Sequence, residues 1–262
     1  MDVFTLLNET PSLPVVVHAP HGGTWIPKEE RPAFLLDDAA LAEEVRRMTD
    51  HRTGLLAEAA ADLGAAVFVN HLSRLVVDPE RFPDEREEMA AVGMGLAYTA
   101  ASDGRPLRRL TGADRARLRE QWYDPYAAAA EGLVAAVRDR FGRCAVVDLH
   151  SYPSRPLPYE RRPDAPRPEV CLGTDPFHTP EGLARLVEAA ADGLGLCHAR
   201  NTPFAGGYVP LSMYRQDRRV LSVMLEVRRD VYLDEATARP TAGEARVADL
   251  LAGVVRGAAG LG

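Results

Sequence analysis

Three stretches of this 262-residue chain deliver side chains that can do chemistry. Residues 144–151 (CAVVDLHS) carry Asp148 and His150, residues 15–23 (VVVHAPHGG) carry His18 and His21, and residues 220–230 (VLSVMLEVRRD) carry Glu226. Each is a run of β-branched and aliphatic residues with the length of a buried strand, ending at or just past an imidazole or a carboxylate. Open α/β sheets place their ligand sites at that carboxyl edge. Two imidazoles and a carboxylate meeting there supply what a catalytic metal site requires: neutral nitrogen ligands, a general base and an open coordination position.

Each residue also has a plainer reading. His21, between Pro20 and two glycines, sits on a tight turn where the backbone can approach a ligand, or else is a solvated turn histidine. His18, three residues earlier, reads as a packing or turn-capping histidine. Asp148, two residues before His150 in a strand, points to the same face and can orient the imidazole as an outer partner; a buried ion pair is the structural alternative. Glu226 lies inside an apolar run, where an unpaired carboxylate costs several kcal/mol, so it is either paired with an arginine or kept for chemistry. Asp50, within RRMTDH, reads by itself as a helix-surface aspartate.

The elements that must position these residues alternate. A helical pattern over 38–63 follows the glycine turn, then come short strands at 65–69 and 75–78. Residues 79–112 are irregular and long enough to be functional. Residues 113–141 read as helix, split or kinked at Pro125. Beyond the His150 strand, residues 151–168 hold six prolines and form a stiff loop. Short strands at 170–172 and 196–199 flank a helix at 180–194, with Pro180 in its first turn. The Glu226 strand and a final helix at 241–258 complete one domain spanning 1–262. This order predicts an α/β fold, a three-layer α/β/α arrangement around a mostly parallel or mixed sheet.

Composition closes off other classes. A net charge of -7 and the absence of a basic, aromatic-interleaved stripe argue against a nucleic-acid partner. No stretch approaches the ~20 apolar residues that span a bilayer, and the start of the chain lacks a signal-peptide pattern, so a cytoplasmic protein with no membrane partner is expected. Cys144, Cys171 and Cys197 are odd in number and far apart, which predicts reduced core thiols and excludes cysteine-ligated zinc. The paired glycines at 93/95 and 193/195 lack the third glycine of a dinucleotide fingerprint. Ser151 stands outside any nucleophile elbow.

Taken in order, PHGGT (20–24), TD (49–50), SRLVVD (73–78), YT with DGRPL (98–107), DLHS (148–151), GGY (206–208) and EVRRD (226–230) resemble the N-formylglutamate amidohydrolase family over most of the chain. The resemblance implies a fold related to zinc carboxypeptidases and one Zn2+ per chain, held by His21, Asp50 and His150, with Glu226 as general base. It further implies a small-molecule N-acyl amino acid substrate, N-formyl-L-glutamate above all. Arg74 is then the group facing the reacting oxygen, and Arg81, Gly207 and Tyr208 bind substrate, both arginines standing at a strand end before the long loop. A zinc peptidase acting on small peptides or cell-wall fragments, and a non-catalytic binding protein of the same fold, are the alternatives. One departure stands out: the family's expected Asp-x-Asn-Arg segment is here Asp78-Pro79-Glu80-Arg81. An acid in that place opposes a dicarboxylate substrate unless it pairs with Arg81 or Arg86.

Overall fold

The computed structural model describes residues 2–261. Seven strands form one sheet in the order β1-β3-β2-β4-β7-β5-β6: β1 Phe4–Leu7, β2 Val15–Ala19, β3 Ala66–Asn70, β4 Cys144–Tyr152, β5 Val170–Gly173, β6 His198–Arg200 and β7 Val220–Arg228. β3, β2, β4 and β7 run parallel, while β1 and β5 pair antiparallel to β3 and β7. The sheet is therefore mixed, with a parallel centre. β2, β3 and β4 are buried along their whole length, as expected for strands covered on both faces.

Helices cover both faces. The six helices are α1 Asp38–Met48, α2 Thr53–Glu58, α3 Gly112–Leu118, α4 Asp124–Phe141, α5 Glu181–Gly193 and α6 Gly243–Gly260. Val15, Val17, Val67 and Val147 pack with α2, α5 and α6 through Leu56, Val187 and Val254. Alternation turns Val16, Phe68 and Val146 to the other face, against Tyr126, Val134 and Val137 of α4. A third cluster, built on Leu75, Val77, Tyr98 and Trp122, stabilises the long 79–112 region. The expected α/β/α architecture is what forms.

The differences are local. The 38–63 pattern is two helices, α1 and α2, because residues 49–52 leave the helical path and Arg52 adopts a left-handed φ of 67°. Residues 75–78 form a turn rather than a strand: their apolar side chains are buried by the third cluster, not by the sheet. Arg74 therefore stands in a turn and Arg81 in the bend that follows, neither at a strand end. Pro125 falls in the first turn of α4, after a π-helical turn at Arg119–Tyr123 that joins α3 to it. Strand β1 and a small hairpin, β8 Leu233–Asp234 with β9 Arg239–Pro240, carried no clear pattern. All three cysteines are free, but Cys197 is exposed at the entrance to β6 and is not a core thiol. Among the described residues no helix is long and apolar enough to cross a membrane.

Candidate metal centre

Four segments converge at the carboxyl edge of the parallel strands. His21 lies two residues past β2, on a turn that presses against the chain leaving β3. A Cβ on Gly23 would lie 2.4 Å from the His71 carbonyl carbon, so only glycine fits there. The His21 carbonyl accepts the backbone N–H of Asp50 at 2.9 Å, which ties the break between α1 and α2 to the same turn. Asp50 is buried there, not on a helix surface. On the neighbouring strands His150 of β4 is in register with Glu226 of β7, so both side chains stand on one face.

The donor atoms meet closely. His21 Nδ1 and His150 Nδ1 are 3.1 Å apart, and Asp50 Oδ2 is 3.2 Å from His150 Nδ1 and 3.8 Å from His21 Nδ1. The opposite ring nitrogens face other carboxylates. His21 Nε2 is 2.8 Å from Asp78 Oδ1, and His150 Nε2 is 3.1 Å from Asp148 Oδ1, too poorly aimed for a hydrogen bond. With the Nε2 protons turned to these acids, two nitrogen lone pairs and a carboxylate oxygen point at one place. Such a set repels itself until a cation or a proton sits within it. The donors fit a divalent ion of the zinc type, which takes two imidazoles and a carboxylate in catalytic sites, and outer carboxylates of this kind fix ligand orientation.

The electrostatics agree with that chemistry. Burial, followed by the Arg74 charge, holds His21 below the ordinary imidazole range and keeps it neutral. Burial would also lower His150, but Glu80 and Asp148 outweigh it and raise it well above that range; a metal must displace this proton. Asp50 is lowered to about 2, because the His150 hydrogen bond and the His21 and Arg229 charges overcome its burial. Burial, joined by the Asp50 charge, outweighs His150, Arg74 and Arg229 and pushes Glu226 up to about 8, and its Oε2 has no hydrogen-bond partner. No arginine is bonded to Glu226, which leaves a poised carboxyl in the same cavity of about 200 Å³ as His21, Asp50 and His150.

The arginines differ in what they have left to offer. Arg74 gives Nε and Nη2 to Asp78 Oδ2 and meets the Tyr98 hydroxyl, and Tyr98 donates to Asp78 at 2.6 Å. Asp78 is thus held well below the carboxylate range, its burial outweighed by His21 and Arg74. Arg81 uses only Nε, bonded to the Met94 carbonyl and 3.5 Å from Asp78 Oδ2, and keeps both terminal nitrogens unengaged. Arg229 is committed to Asp50, Ser151 and the Arg47 carbonyl.

Glu80 pairs with neither Arg81 nor Arg86. Its Oε2 lies 3.3 Å from His150 Nε2 and 3.5 Å from His21 Nε2. Gly207 and Tyr208 line an adjoining cavity rather than the one with the histidines. Tyr208 donates its N–H to Asp148 Oδ2 at 3.0 Å and stacks on His18 at 4.2 Å. His18 packs as expected, between Asp148 and the Tyr126 hydroxyl. Arg47 and Tyr159 escaped the sequence reading, while Asp78, Tyr98 and Arg229 stood in its motifs without a role. The Arg74–Asp78 ion pair, at 2.8 Å, forms within the turn.

Residues 13–233 match the family model described as N-formylglutamate amidohydrolase. The N-formylglutamate deformylase of Pseudomonas aeruginosa is 31% identical over 252 residues, covering 93% of this chain and 90% of that protein. Its counterpart in Pseudomonas putida is 29% identical over 233 residues, covering 85% and 83%. The crystal structure of N-formylglutamate amidohydrolase from Ralstonia eutropha JMP134 superposes with a TM-score of 0.83 at 28% identity, covering 98% of both chains. A gene product of Agrobacterium tumefaciens shares the fold, with a TM-score of 0.72 at 19% identity and 98% and 94% coverage.

Proposed function

The chain belongs to the N-formylglutamate amidohydrolase family, and from that premise we propose that it is a zinc-dependent amidohydrolase that cleaves the amide bond of N-formyl amino acids, converting N-formyl-L-glutamate and water to formate and L-glutamate. The observation that carries the reading is the convergence of His21 Nδ1, His150 Nδ1 and Asp50 Oδ2 beside a partnerless Glu226 carboxyl. His21, Asp50 and His150 would hold the ion. Bound there, zinc supplies Lewis acidity toward the amide oxygen and acidifies water.

The remaining work falls to side chains. Glu226 takes a proton from the attacking water and returns it to the leaving nitrogen, so no net proton is consumed at that carboxyl. A base near neutrality suits both halves of the transfer, and burial has moved Glu226 into that range. Asp78 holds the outer edge of the His21 imidazole by a hydrogen bond, and Asp148 sets a negative charge beside that of His150. Arg81, with its terminal nitrogens unengaged, grips a substrate carboxylate in a bidentate pair. Arg74, anchored through Asp78, stabilises charge on the reacting oxygen.

The test joins two measurements on one preparation. Zinc content should be near one per chain, and formate release from N-formyl-L-glutamate should vanish on chelation and return with zinc. Zinc bound without turnover of any N-formyl amino acid would reduce the site to a binding function.

A further inference from the structure

Two cavities adjoin at the metal-binding cluster, and their chemistry is opposite. The smaller, of about 200 Å³, is lined by His21, Asp50, His150 and Glu226 together with four arginines, Arg47, Arg74, Arg81 and Arg229. The larger, of about 580 Å³, shares Glu80, Arg81, Ala205 and Met224 with it. Its place along the sheet follows from register. Asp148 and Met224 pair across β4 and β7 two residues before His150 and Glu226, hence on the same face and roughly 6.6 Å along the strands. That offset is about one long side chain from the bond being broken.

Charge in the larger cavity is left over on the acidic side. Arg119 is engaged by Asp124 at 3.2 Å, and Asp148 is taken by His18 and the Tyr208 N–H. Glu80 and Glu131 have no arginine partner; Glu80 Oε2 stands 3.3 Å from His150 Nε2, while its Oε1, 3.7 Å from His18 Nδ1, is buried without any hydrogen bond. Phe82 and Tyr214 already have Arg86 and Arg215 over their rings, and these are paired with Asp84 and Asp175. Tyr123 and Tyr208 carry no such cation, and aromatic rings beside carboxylates that no arginine neutralises are a cation's surroundings.

Resting on the amidohydrolase reading above, we propose that the larger cavity receives the side chain of the N-formyl amino acid and selects one ending in a cation, with Glu80 and Glu131 as the determinants. The α-carboxylate then goes to Arg81, and a carboxylate-ended side chain meets Glu80 as a like charge. N-formyl-L-glutamate is accepted, but a basic residue is turned over with higher efficiency.

The experiment compares kcat/KM of the zinc-loaded protein on the N-formyl derivatives of L-glutamate, L-glutamine, L-methionine and L-arginine. Arginine should exceed glutamate at least tenfold, with the neutral pair between. Glu80→Gln and Glu131→Gln should each cut the arginine-to-glutamate ratio several-fold, mainly through KM, at unchanged zinc content. Wild-type preference for glutamate over arginine, or a ratio that neither variant moves, overturns the proposal. If none of the four is hydrolysed, the amidohydrolase reading has failed. The cavity is then judged by calorimetry: tighter binding of N-formyl-L-arginine than of N-formyl-L-glutamate supports it, and the reverse order sinks it.

Discussion

Glu226 concentrates the residue-scale argument, because burial, with the Asp50 charge beside it, pushes it up to about 8 against the pull of His150, Arg74 and Arg229. Glu226→Gln should keep zinc and fold but lose about 10²–10⁴-fold in turnover, since an amide cannot carry the proton. Stability gives an independent reading. In the unfolded chain this carboxyl ionises near pH ~4.3, but in the folded chain only near 8, so its ionisation penalty builds up across that interval as pH rises. Chelated wild type should therefore lose stability relative to chelated Glu226→Gln between about pH 4 and 8, by a few kcal/mol. Parallel melting curves would show a carboxyl satisfied elsewhere. The arginines divide similarly: Arg81→Lys should raise KM for N-formyl amino acids, because lysine lacks the planar fork, whereas Arg74→Lys should lower kcat and loosen Asp78. Equal KM effects from both would assign them one role.

At the scale of elements, the decisive feature is how two turns are fastened together. The His21 turn touches the chain beyond β3 through Gly23 and holds Asp50 through a backbone hydrogen bond, so the interruption between α1 and α2 is part of the site. Gly23→Ala must displace the His71 backbone, and overpacking of this kind costs about 1–3 kcal/mol. Zinc affinity should fall with it, because His21 moves relative to Asp50 and His150. A variant that loses stability but binds zinc as tightly as wild type would uncouple the turn from the ligands. The 73–78 turn is fastened differently, by Asp78 to Arg74 and Tyr98, and by Arg108 to the carbonyls of Val76 and Tyr98.

Across the molecule, the sheet joins the two ends of the chain. β1 is an edge strand beside β3, and α6 packs through Val254 and Val255 on the face that holds Val15 and Val147. We propose that residues 1–262 form one domain, and expect a single cooperative melting transition seen alike by calorimetry and circular dichroism. Zinc at a thousandfold excess over its dissociation constant should stabilise that transition by about 4 kcal/mol, and His21→Ala should abolish the response. Two separate transitions would contradict the single domain. An undiminished response in His21→Ala would remove that histidine from the ligand set.

The sequence determined the strands at β2, β4 and β7 and the residues they present, because a buried parallel strand must be continuously apolar and an interrupting His150 or Glu226 is then conspicuous. That Asp148 and His150 share one face of β4 followed from the two-residue repeat of a strand. What only tertiary structure decided lies where side chains from distant segments meet. Asp50 looked like a helix-surface acid because the α1–α2 break is held by the His21 carbonyl, 29 positions away in the chain, and not by a local breaker such as proline. Residues 75–78 looked like a strand because burial by a loop cluster demands the same apolar residues as burial in a sheet. The orientation of Glu80, toward two imidazoles and not toward Arg81 or Arg86, depends on contacts with His21 and His150. Local spacing carries no record of such contacts.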